Sequence, residues 1–169
     1  MSTSTNEWNR ITTTEQIQQV CHIAEEIWRE HYIPIIGESQ VDYMLDKFQS
    51  PHAVSNQIQQ QGYSYYFITY EDQSAGYLAF KLESDKMFLS KIYVMKQHRG
   101  KRLAGKAIAF LVEQCKQRGL RSIYLTVNKR NASSIAAYER LGFVKVQAVV
   151  ADIGNGYVMD DDVMEKVVV

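Results

Sequence analysis

The chain has 169 residues, a length that fits one domain and is too short for two domains with separate hydrophobic cores. Hydrophobic residues make up 46% of it and charged residues 22%, which is typical of a folded globular protein rather than a disordered one. Lys and Arg together number 19, as do Asp and Glu, so no net positive charge favours a nucleic acid or an anionic membrane as partner. The sequence also lacks an apolar run of the roughly 20 residues that a membrane-spanning helix needs.

Two further features predict a reducing compartment. Residues 1–7 lack the charged and apolar regions of a secretory signal. Cys21 and Cys115 each fall in an apolar helical pattern, which favours two buried thiols over a disulfide. We therefore expect one globular domain over residues 1–169, located in the cytoplasm.

The first quarter of the chain predicts a short strand and a long helix. The strand is expected near residues 8–12, and Thr13 or Thr14 then caps a helix that Pro34 ends. Apolar residues recur along this helix at three- and four-residue spacing, as expected of one buried face. They are Ile17, Val20, Cys21, Ala24, Ile27 and Trp28.

Two shorter helices are predicted next. Ser39 is expected to cap the first of them. Ser50 followed by Pro51 has the pattern of an N-cap and a first-turn proline, and Gly62 is expected to end that helix.

The remainder of the chain predicts a mixed α/β sheet. Strands are expected at residues 63–70, 75–82 and 86–94, and their short polar connections favour an antiparallel meander. A helix from Leu103 to Gly119 then leads to a strand at 121–127, a unit that predicts a parallel, right-handed crossover. The elements expected after it are a helix at 132–141 and strands at 143–151 and 157–169.

The loop inside this crossover, residues 95–102, has the features of an anion site. It ends at a helix N-terminus, where backbone N–H groups and the positive end of the helix dipole favour a phosphate. Gly100 allows close approach of the backbone to a ligand, and four cationic residues add charge. A solvated basic loop is the alternative that these features leave open.

Two familiar nucleotide motifs are absent from this loop. A phosphate-binding loop of the Walker type needs Gly-Lys followed by Ser or Thr, but Arg102 follows Gly100 and Lys101. The dinucleotide fingerprint needs three glycines, and the sequence supplies Gly100 and Gly105.

The sequence resembles the GCN5-related N-acetyltransferases (GNAT family) at two motifs. Residues 99–104 look like that family's acyl-CoA pyrophosphate loop, Q/R-x-x-G/A-x-G/A. Residues 125–128, then Asn131, Tyr138 and 141–143, look like its strand–helix segment with a closing glycine-aromatic pair. The resemblance implies an α/β, GNAT-like single domain with a mostly antiparallel sheet and flanking helices. One departure is Arg102, which stands where the family usually has a small residue and whose backbone N–H remains available.

The resemblance also implies roles for particular residues. Backbone groups of Ile92, Tyr93 and Val94 would hold the pantetheine arm of acetyl-CoA, and Asn131 and Ser134 would contact the same molecule. The pyrophosphate would be held by the loop and first helical turn, namely Arg99, Gly100, Lys101, Arg102, Leu103, Ala104 and Gly105. No metal is implied.

Tyr138 would protonate the leaving thiolate. A tyrosine suits that task because its reference pKa of about 10 keeps it protonated at neutral pH, somewhat above that of a thiol. Without the flanking motif, Tyr138 would be interpreted as a packing residue on an amphipathic helix. Cys21 and Cys115 are unsuited to carrying an acyl group, so direct transfer in a ternary complex is expected.

The group that deprotonates the acceptor amine is not evident from the sequence. Some relatives place a glutamate on the strand before the loop, but that position is Ser90 here. The candidates are Glu30, His31 and Tyr93, with a solvent-linked proton path as an equal alternative.

The acceptor is expected to be a primary amine of a small molecule. Residues 27–32, 40–44 and 154–162 look like the acceptor-side segments of bacterial polyamine (spermidine/spermine) N-acetyltransferases, and acidic and aromatic side chains suit a polycation. A protein or peptide amine, a non-catalytic acyl-CoA-binding module and a nucleotide-binding regulatory domain are the alternatives. The apolar ending, Val167 to Val169, predicts a paired or covered terminal strand and a possible homodimer.

Overall fold

The structure is a computed structural model and describes residues 8–169. Its elements are α1 (Thr14–Ile36), α2 (Glu38–Gln49), α3 (Pro51–Gln60), β1 (Tyr63–Tyr70), β2 (Gln73–Leu82), β3 (Lys86–Val94), α4 (Leu103–Arg118), β4 (Ser122–Asn128), α5 (Ala132–Arg140), β5 (Val144–Gly154) and β6 (Tyr157–Val167). The predicted segments from residue 63 onward are confirmed, with boundaries moved by a few residues.

The strands form one mixed sheet in the order β1-β2-β3-β4-β6-β5. Short connections join β1 to β2 and β2 to β3, as is possible only between antiparallel neighbours. β3 runs parallel to β4, with Lys86 opposite Ser122, and β6 is antiparallel to both β4 and β5. The predicted α/β class with one parallel strand–helix–strand unit is therefore confirmed.

The structure contains two compact units, residues 8–80 with 91–107 and residues 81–90 with 108–169. In the first unit a chain of buried hydrogen bonds joins the helices to the strands. The Trp28 indole N–H donates to the Tyr77 hydroxyl over 3.0 Å, and that hydroxyl donates to Gln49 over 2.6 Å. Gln49 in turn donates to the Tyr65 hydroxyl over 3.1 Å. Because each of these buried polar groups has a partner, the network adds specificity to an otherwise apolar core.

The start of α1 follows its prediction. The Thr13 side chain accepts from the Gln16 amide, and the Gln16 side chain accepts in return from the Thr13 amide, which is a complete capping box. The strand predicted at residues 8–12 is reduced to a bridge between Arg10 and Tyr66, although Ile11 is fully buried.

Two predictions about the next turn are wrong. Pro34 lies inside the last turn of α1 and does not end it, because so near the C-terminus a proline removes one hydrogen bond from the helix without preventing its final residues. Ser39 does not cap α2, because α2 starts directly after Gly37 and Ser39 is already inside its first turn. Ser50 caps α3 as predicted, by accepting from the Ala53 amide.

In the second unit, α5 lies between β4 and β5 in the chain. Asn131 is its N-cap, with a side chain that accepts from the Ser134 amide. Gly142 follows the helix at a φ of +98°, a conformation that favours glycine, and Phe143 is buried immediately after it. This turn is what the glycine-aromatic pair in the sequence predicted.

Candidate active site

The anion loop, residues 95–102, belongs to the first unit and ends in an open helix N-terminus. After a 3₁₀ turn at Lys96–His98, Gly100 adopts a φ of +83° and the chain enters α4 at Leu103. The first helical hydrogen bond runs from the Lys106 amide to the Arg102 carbonyl. The amides of Leu103, Ala104 and Gly105 therefore precede the intrahelical ladder and are donors suited to an anion.

Arg102 adopts a left-handed backbone conformation, for which glycine is better suited. Its φ is +61°, in the left-handed region that is costly for any residue with a Cβ atom. The side chain is exposed. The substitution at this position thus leaves the turn into α4 in place, at a cost in conformational energy.

Arg99 anchors the loop through its side chain. Its Nε donates to the Val94 carbonyl over 3.0 Å, and its two terminal nitrogens donate to the Glu30 carboxylate over 3.2 and 2.7 Å. This two-pronged arrangement fixes the guanidinium plane. The guanidinium of Arg99 therefore contacts α1 and the end of β3 in this structure.

The cationic side chain of Lys101 packs on an aromatic ring. Its Nζ lies 4.2 Å from the centre of the Tyr70 ring and 3.5 Å from His98 Nδ1. A cation over a ring face at this distance is attracted by the ring quadrupole, so this lysine of the loop has a defined position against Tyr70.

The end of β3 is packed closely against β2. A Cβ added at Gly76 would lie 2.0 Å from the Tyr93 carbonyl oxygen, and the Met95 amide donates to the Ala75 carbonyl over 2.7 Å. Ile92 is buried, while the Tyr93 hydroxyl lies 3.0 Å from that of Tyr32 on α1. The first unit thus brings the predicted residues 92–94 and the anion loop together.

The other predicted residues lie on α5, in the second unit. The buried Asn131 caps the helix by accepting from the Ser134 amide over 3.4 Å. Tyr138 is half-buried on the same helix, with its ring centre 5.8 Å from that of Phe143. Within this unit, Asn131, Ser134 and Tyr138 share one short helix.

The surroundings of two candidate bases and of the two thiols affect their chemistry. Hydrogen bonds from Arg99 hold the pKa of Glu30 below its ordinary value, which makes Glu30 a weak base. Tyr93 shares a hydrogen bond with Tyr32. Burial raises the pKa of the free thiols of Cys21 and Cys115 to about 11 each, which is unfavourable for a nucleophile.

Sequence reasoning missed a buried carboxylate, Asp161 on β6. It is 4% exposed, and within residues 8–169 its Oδ1 atom has no hydrogen-bond partner. Burial, and then the charges of Asp160 and Asp162, raise its pKa to about 6, against a hydrogen bond with Thr126 that lowers it. Three successive aspartates in a strand were the available signal, because alternation directs the middle one to the opposite face from its neighbours.

Lys91 on β3 was missed in the same way. It directly follows Ser90 in a largely apolar strand, and burial lowers its pKa to about 8. Over the whole residue Lys91 is half-buried, and loss of hydration at its ammonium is the cause of this shift.

A cavity of about 370 Å³ lies among α1, α2 and the start of α3. Its walls include Glu25 and Asp42, both of which pair with Arg29, at 3.1 and 2.7 Å. Asp46 and His22 also line it. Of the carboxylates of this cavity, Asp42 belongs to a segment that the sequence assigned to the acceptor side, while Glu25 and Asp46 lie just outside those segments.

Residues 8–169 contain neither a membrane-spanning helix nor a cluster of metal-binding side chains. None of their helices has the length and apolar character that crossing a bilayer requires. In the same residues, no three His, Cys, Asp or Glu side chains are grouped in a way that would hold a metal ion.

Comparison with known sequences gives a family and one relative. A sequence model of the acetyltransferase (GNAT) family matches residues 18–143. The uncharacterized N-acetyltransferase YjgM of Escherichia coli K12 is 31% identical over 100 residues, which are 57% of this chain and 60% of that protein. The matched part thus spans less than two thirds of the relative's length.

Solved structures share the fold at low sequence identity. The PaiA N-acetyltransferase of Thermoplasma acidophilum, in complex with coenzyme A, has a TM-score of 0.77 at 16% identity and covers 95% of this chain and 99% of its own. A chimera of the Vibrio cholerae spermidine N-acetyltransferase SpeG and hSSAT has a TM-score of 0.66 at 17% identity, covering 95% of each chain. The ribosomal-protein alanine N-acetyltransferase of Escherichia coli has a TM-score of 0.70 at 20% identity, covering 96% of this chain and 93% of its own.

Proposed function

The chain belongs to the acetyltransferase (GNAT) family, and we propose that residues 1–169 form a single domain that moves an acetyl group from acetyl-CoA to the primary amine of a small molecule. The observation that carries this proposal is the anion loop. Its left-handed residues Gly100 and Arg102 lead directly into the open N-terminus of α4. That arrangement offers a row of main-chain donors suited to a diphosphate.

The loop residues have distinct tasks in this proposal. The amides from Gly100 to Gly105 bind the diphosphate, while the Arg99 side chain holds the loop against Glu30. Backbone groups of Ile92, Tyr93 and Val94 bind the pantetheine arm. Because the Val94 carbonyl already accepts from Arg99, one lone pair of its oxygen remains for that purpose.

In the second unit, we assign Asn131 and Ser134 to cofactor contact and Tyr138 to proton donation. The thiolate that leaves as the amine attacks the acetyl carbon takes its proton from the Tyr138 hydroxyl. The proton that the amine nitrogen loses passes through solvent and restores that hydroxyl. The energetic contribution of the protein is mainly to position two reactants, since neither of its high-pKa thiols is suited to carry the acetyl group.

We propose a polyamine as the acceptor. Support comes from the sequence resemblance and from the acidic wall of the α1–α2 cavity, where Asp46 adds to the two carboxylates that pair with Arg29. A polycation suits such surfaces because each ammonium can pair with a carboxylate. The fold shared with a spermidine acetyltransferase chimera is compatible with this acceptor and does not select it over other amines.

A thiol-release screen tests the proposal. The protein is mixed with acetyl-CoA and, in separate reactions, with polyamines, aminoglycosides, amino acids and peptides with free N-termini. Release of CoA with at least one amine is expected, fastest with spermidine or spermine. Release with peptides alone would replace the small-molecule acceptor by a protein one. Tight acetyl-CoA binding without release from any amine would instead establish a non-catalytic binding module.

Replacing Tyr138 tests the general acid. We expect Tyr138→Phe to lower turnover by about tenfold or more, because the phenyl ring keeps the packing and removes the donated proton. Acetyl-CoA affinity, measured by calorimetry, should stay within about twofold of the wild type. Tyr66→Phe, at a half-buried tyrosine of β1 whose ring stacks on Phe80, is the matched control and should leave turnover unchanged. Wild-type turnover in Tyr138→Phe would remove the assignment.

A further inference from the structure

Lys101 has different surroundings from the other cations of the anion loop. Those other cations are exposed, namely Lys96, Arg99 and Arg102. Lys101 is half-buried, with its Nζ 4.2 Å from the centre of the Tyr70 ring and 3.5 Å from His98 Nδ1. Its ammonium is therefore seated against two side chains of the first unit.

The ring that receives this ammonium belongs to the sheet. Tyr70 is the last residue of β1 and is half-buried, and its ring centre lies 6.0 Å from that of His98 in the loop. A cation on a ring face is attracted more strongly where water is partly excluded. Tyr70, His98 and Lys101 thus form a cluster that joins the end of β1 to the loop.

The backbone on both sides of Lys101 is unusual. Gly100 and Arg102 have φ values of +83° and +61°, while Lys101 between them does not have a positive φ. Backbone that alternates in this way can bring successive N–H groups into a concavity suited to an anion. The left-handed region is costly for Arg102, so neighbouring contacts are needed to hold the loop in this conformation.

Two side chains of the loop supply such contacts. Arg99 bonds to Glu30 of α1 and to the Val94 carbonyl, as described above. Lys101 contacts Tyr70 of β1, so the loop is attached both to a helix and to a second strand. The two attachments flank Gly100, the first of the left-handed residues.

We propose that Lys101 is a positioning residue of the acetyl-CoA site, which acts through its contact with Tyr70 and not as a ligand of the diphosphate. This rests on the proposed function, in which the amides of the loop bind the diphosphate. With the ammonium seated on Tyr70, the alternating backbone is in place before acetyl-CoA arrives. Without that contact, binding must order the loop, and part of the affinity is lost.

A double-variant cycle separates positioning from direct contact. Tyr70→Leu removes the ring face, and Lys101→Met removes the charge but keeps an unbranched side chain. Each is expected to raise the dissociation constant of acetyl-CoA, measured by calorimetry, about three- to tenfold, and the double variant should bind no more weakly than either single one. A lysine that contacted the diphosphate directly would give another pattern, in which Lys101→Met weakens binding and Tyr70→Leu does not.

Conservative variants and kinetics distinguish positioning from a general loss of structure. Tyr70→Phe keeps the ring face and removes the hydroxyl, so it should bind acetyl-CoA as the wild type does. In turnover, Tyr70→Leu and Lys101→Met should raise the KM for acetyl-CoA with little change in kcat. Lys47→Met is the matched control, because Lys47 also lies over a tyrosine ring, that of Tyr43 at 5.5 Å, but on α2.

The outcomes separate this proposal from the proposed function. Wild-type affinity in Tyr70→Leu, or fully additive losses in the double variant, would overturn the positioning role and leave the loop as the acetyl-CoA site. A wild-type protein that does not bind acetyl-CoA would overturn the proposed function and this role with it. Thermal denaturation verifies folding, and Tyr70→Gln, which also removes the ring, replaces Tyr70→Leu if the leucine variant does not fold.

Discussion

At the scale of single residues, the anion loop depends on two left-handed positions of different cost. Gly100 adopts its φ of +83° without penalty, whereas Arg102 adopts +61° with a full side chain. The strain at Arg102 lies at the entrance to α4, next to the amides assigned to the diphosphate. Strain held at such a place is common where a ligand must meet backbone groups directly.

Replacing Arg102 by glycine should therefore stabilise the protein. We expect Arg102→Gly to raise the free energy of unfolding by about 0.5–1 kcal/mol, because the relief of strain exceeds the added freedom of the unfolded chain. The measurement is urea denaturation followed by circular dichroism, with acetyl-CoA affinity retained.

Gly100→Val should introduce backbone strain at the anion loop, whereas Arg102→Gly relieves it. No atom lies within 4 Å of a Cβ built at this position, so the cost comes from the backbone conformation and not from a clash. We expect weaker acetyl-CoA binding, while Gly119→Val, at the far end of α4 with a φ of +70°, should cost stability without changing that affinity. Equal losses of affinity in both variants would count against the loop as the binding element.

At the scale of elements, α1 and the anion loop are joined by the Glu30–Arg99 pair. The same guanidinium bonds to the Val94 carbonyl, so one side chain ties the helix, the strand end and the loop together. The sequence suggested Glu30 as a base and Arg99 as a cofactor contact, because spacing along a chain does not reveal which charges meet. Their pairing across 69 residues is a tertiary contact that no local pattern in the sequence contains.

Breaking this pair should loosen the loop. Because Glu30 and Arg99 are each about one-third exposed, the effect will be modest, and we expect Glu30→Gln to raise the KM for acetyl-CoA about two- to fivefold with little change in kcat. Arg99→Gln should do the same, and the double variant should be no worse than either single one.

Glu25→Gln is the control on the same helix, since it breaks an exposed pair with Arg29 that does not touch the loop. An equal rise of KM in that variant, or fully additive effects of Glu30→Gln and Arg99→Gln, would show that the loop is held by other contacts.

At the scale of the whole molecule, the sheet and its connections could be predicted from the sequence, and the buried charges could not. Alternating apolar strands and turn residues fixed β1 to β6, because those signals are local. The helix α1 continues past Pro34, contrary to the prediction, because a proline so close to the C-terminus of a helix removes only one hydrogen bond. The three successive aspartates of β6 indicated which face Asp161 occupies, but whether that face is buried depended on the strands that flank β6.

Asp161 makes the stability of the molecule depend on pH. Its pKa is about 6 in the folded chain and about 4 when unfolded, so the folded state holds the proton more tightly and stability falls as pH rises from 4 to 6. We expect Asp161→Asn to be more stable than the wild type above pH 7, by about 2 kcal/mol, and equally stable below pH 4. Thermal melts at both pH values measure it.

Asp85→Asn is the companion variant, because it removes an exposed carboxylate and its pair with Arg121 without changing the charges that act on Asp161. It should show no gain at high pH. A melting temperature of Asp161→Asn that equals the wild-type value at pH 8 would mean that the carboxylate carries no burial cost.

The indole of Trp28 offers an optical reporter within the first unit. It is 2% exposed and donates a hydrogen bond to the equally buried Tyr77 hydroxyl, so its fluorescence should be emitted at short wavelength while α1 is packed. The sequence has one other tryptophan, Trp8. With Trp8 replaced by phenylalanine, a red shift would signal water reaching Trp28, and detachment of this helix could be timed in a stopped-flow instrument without any added dye.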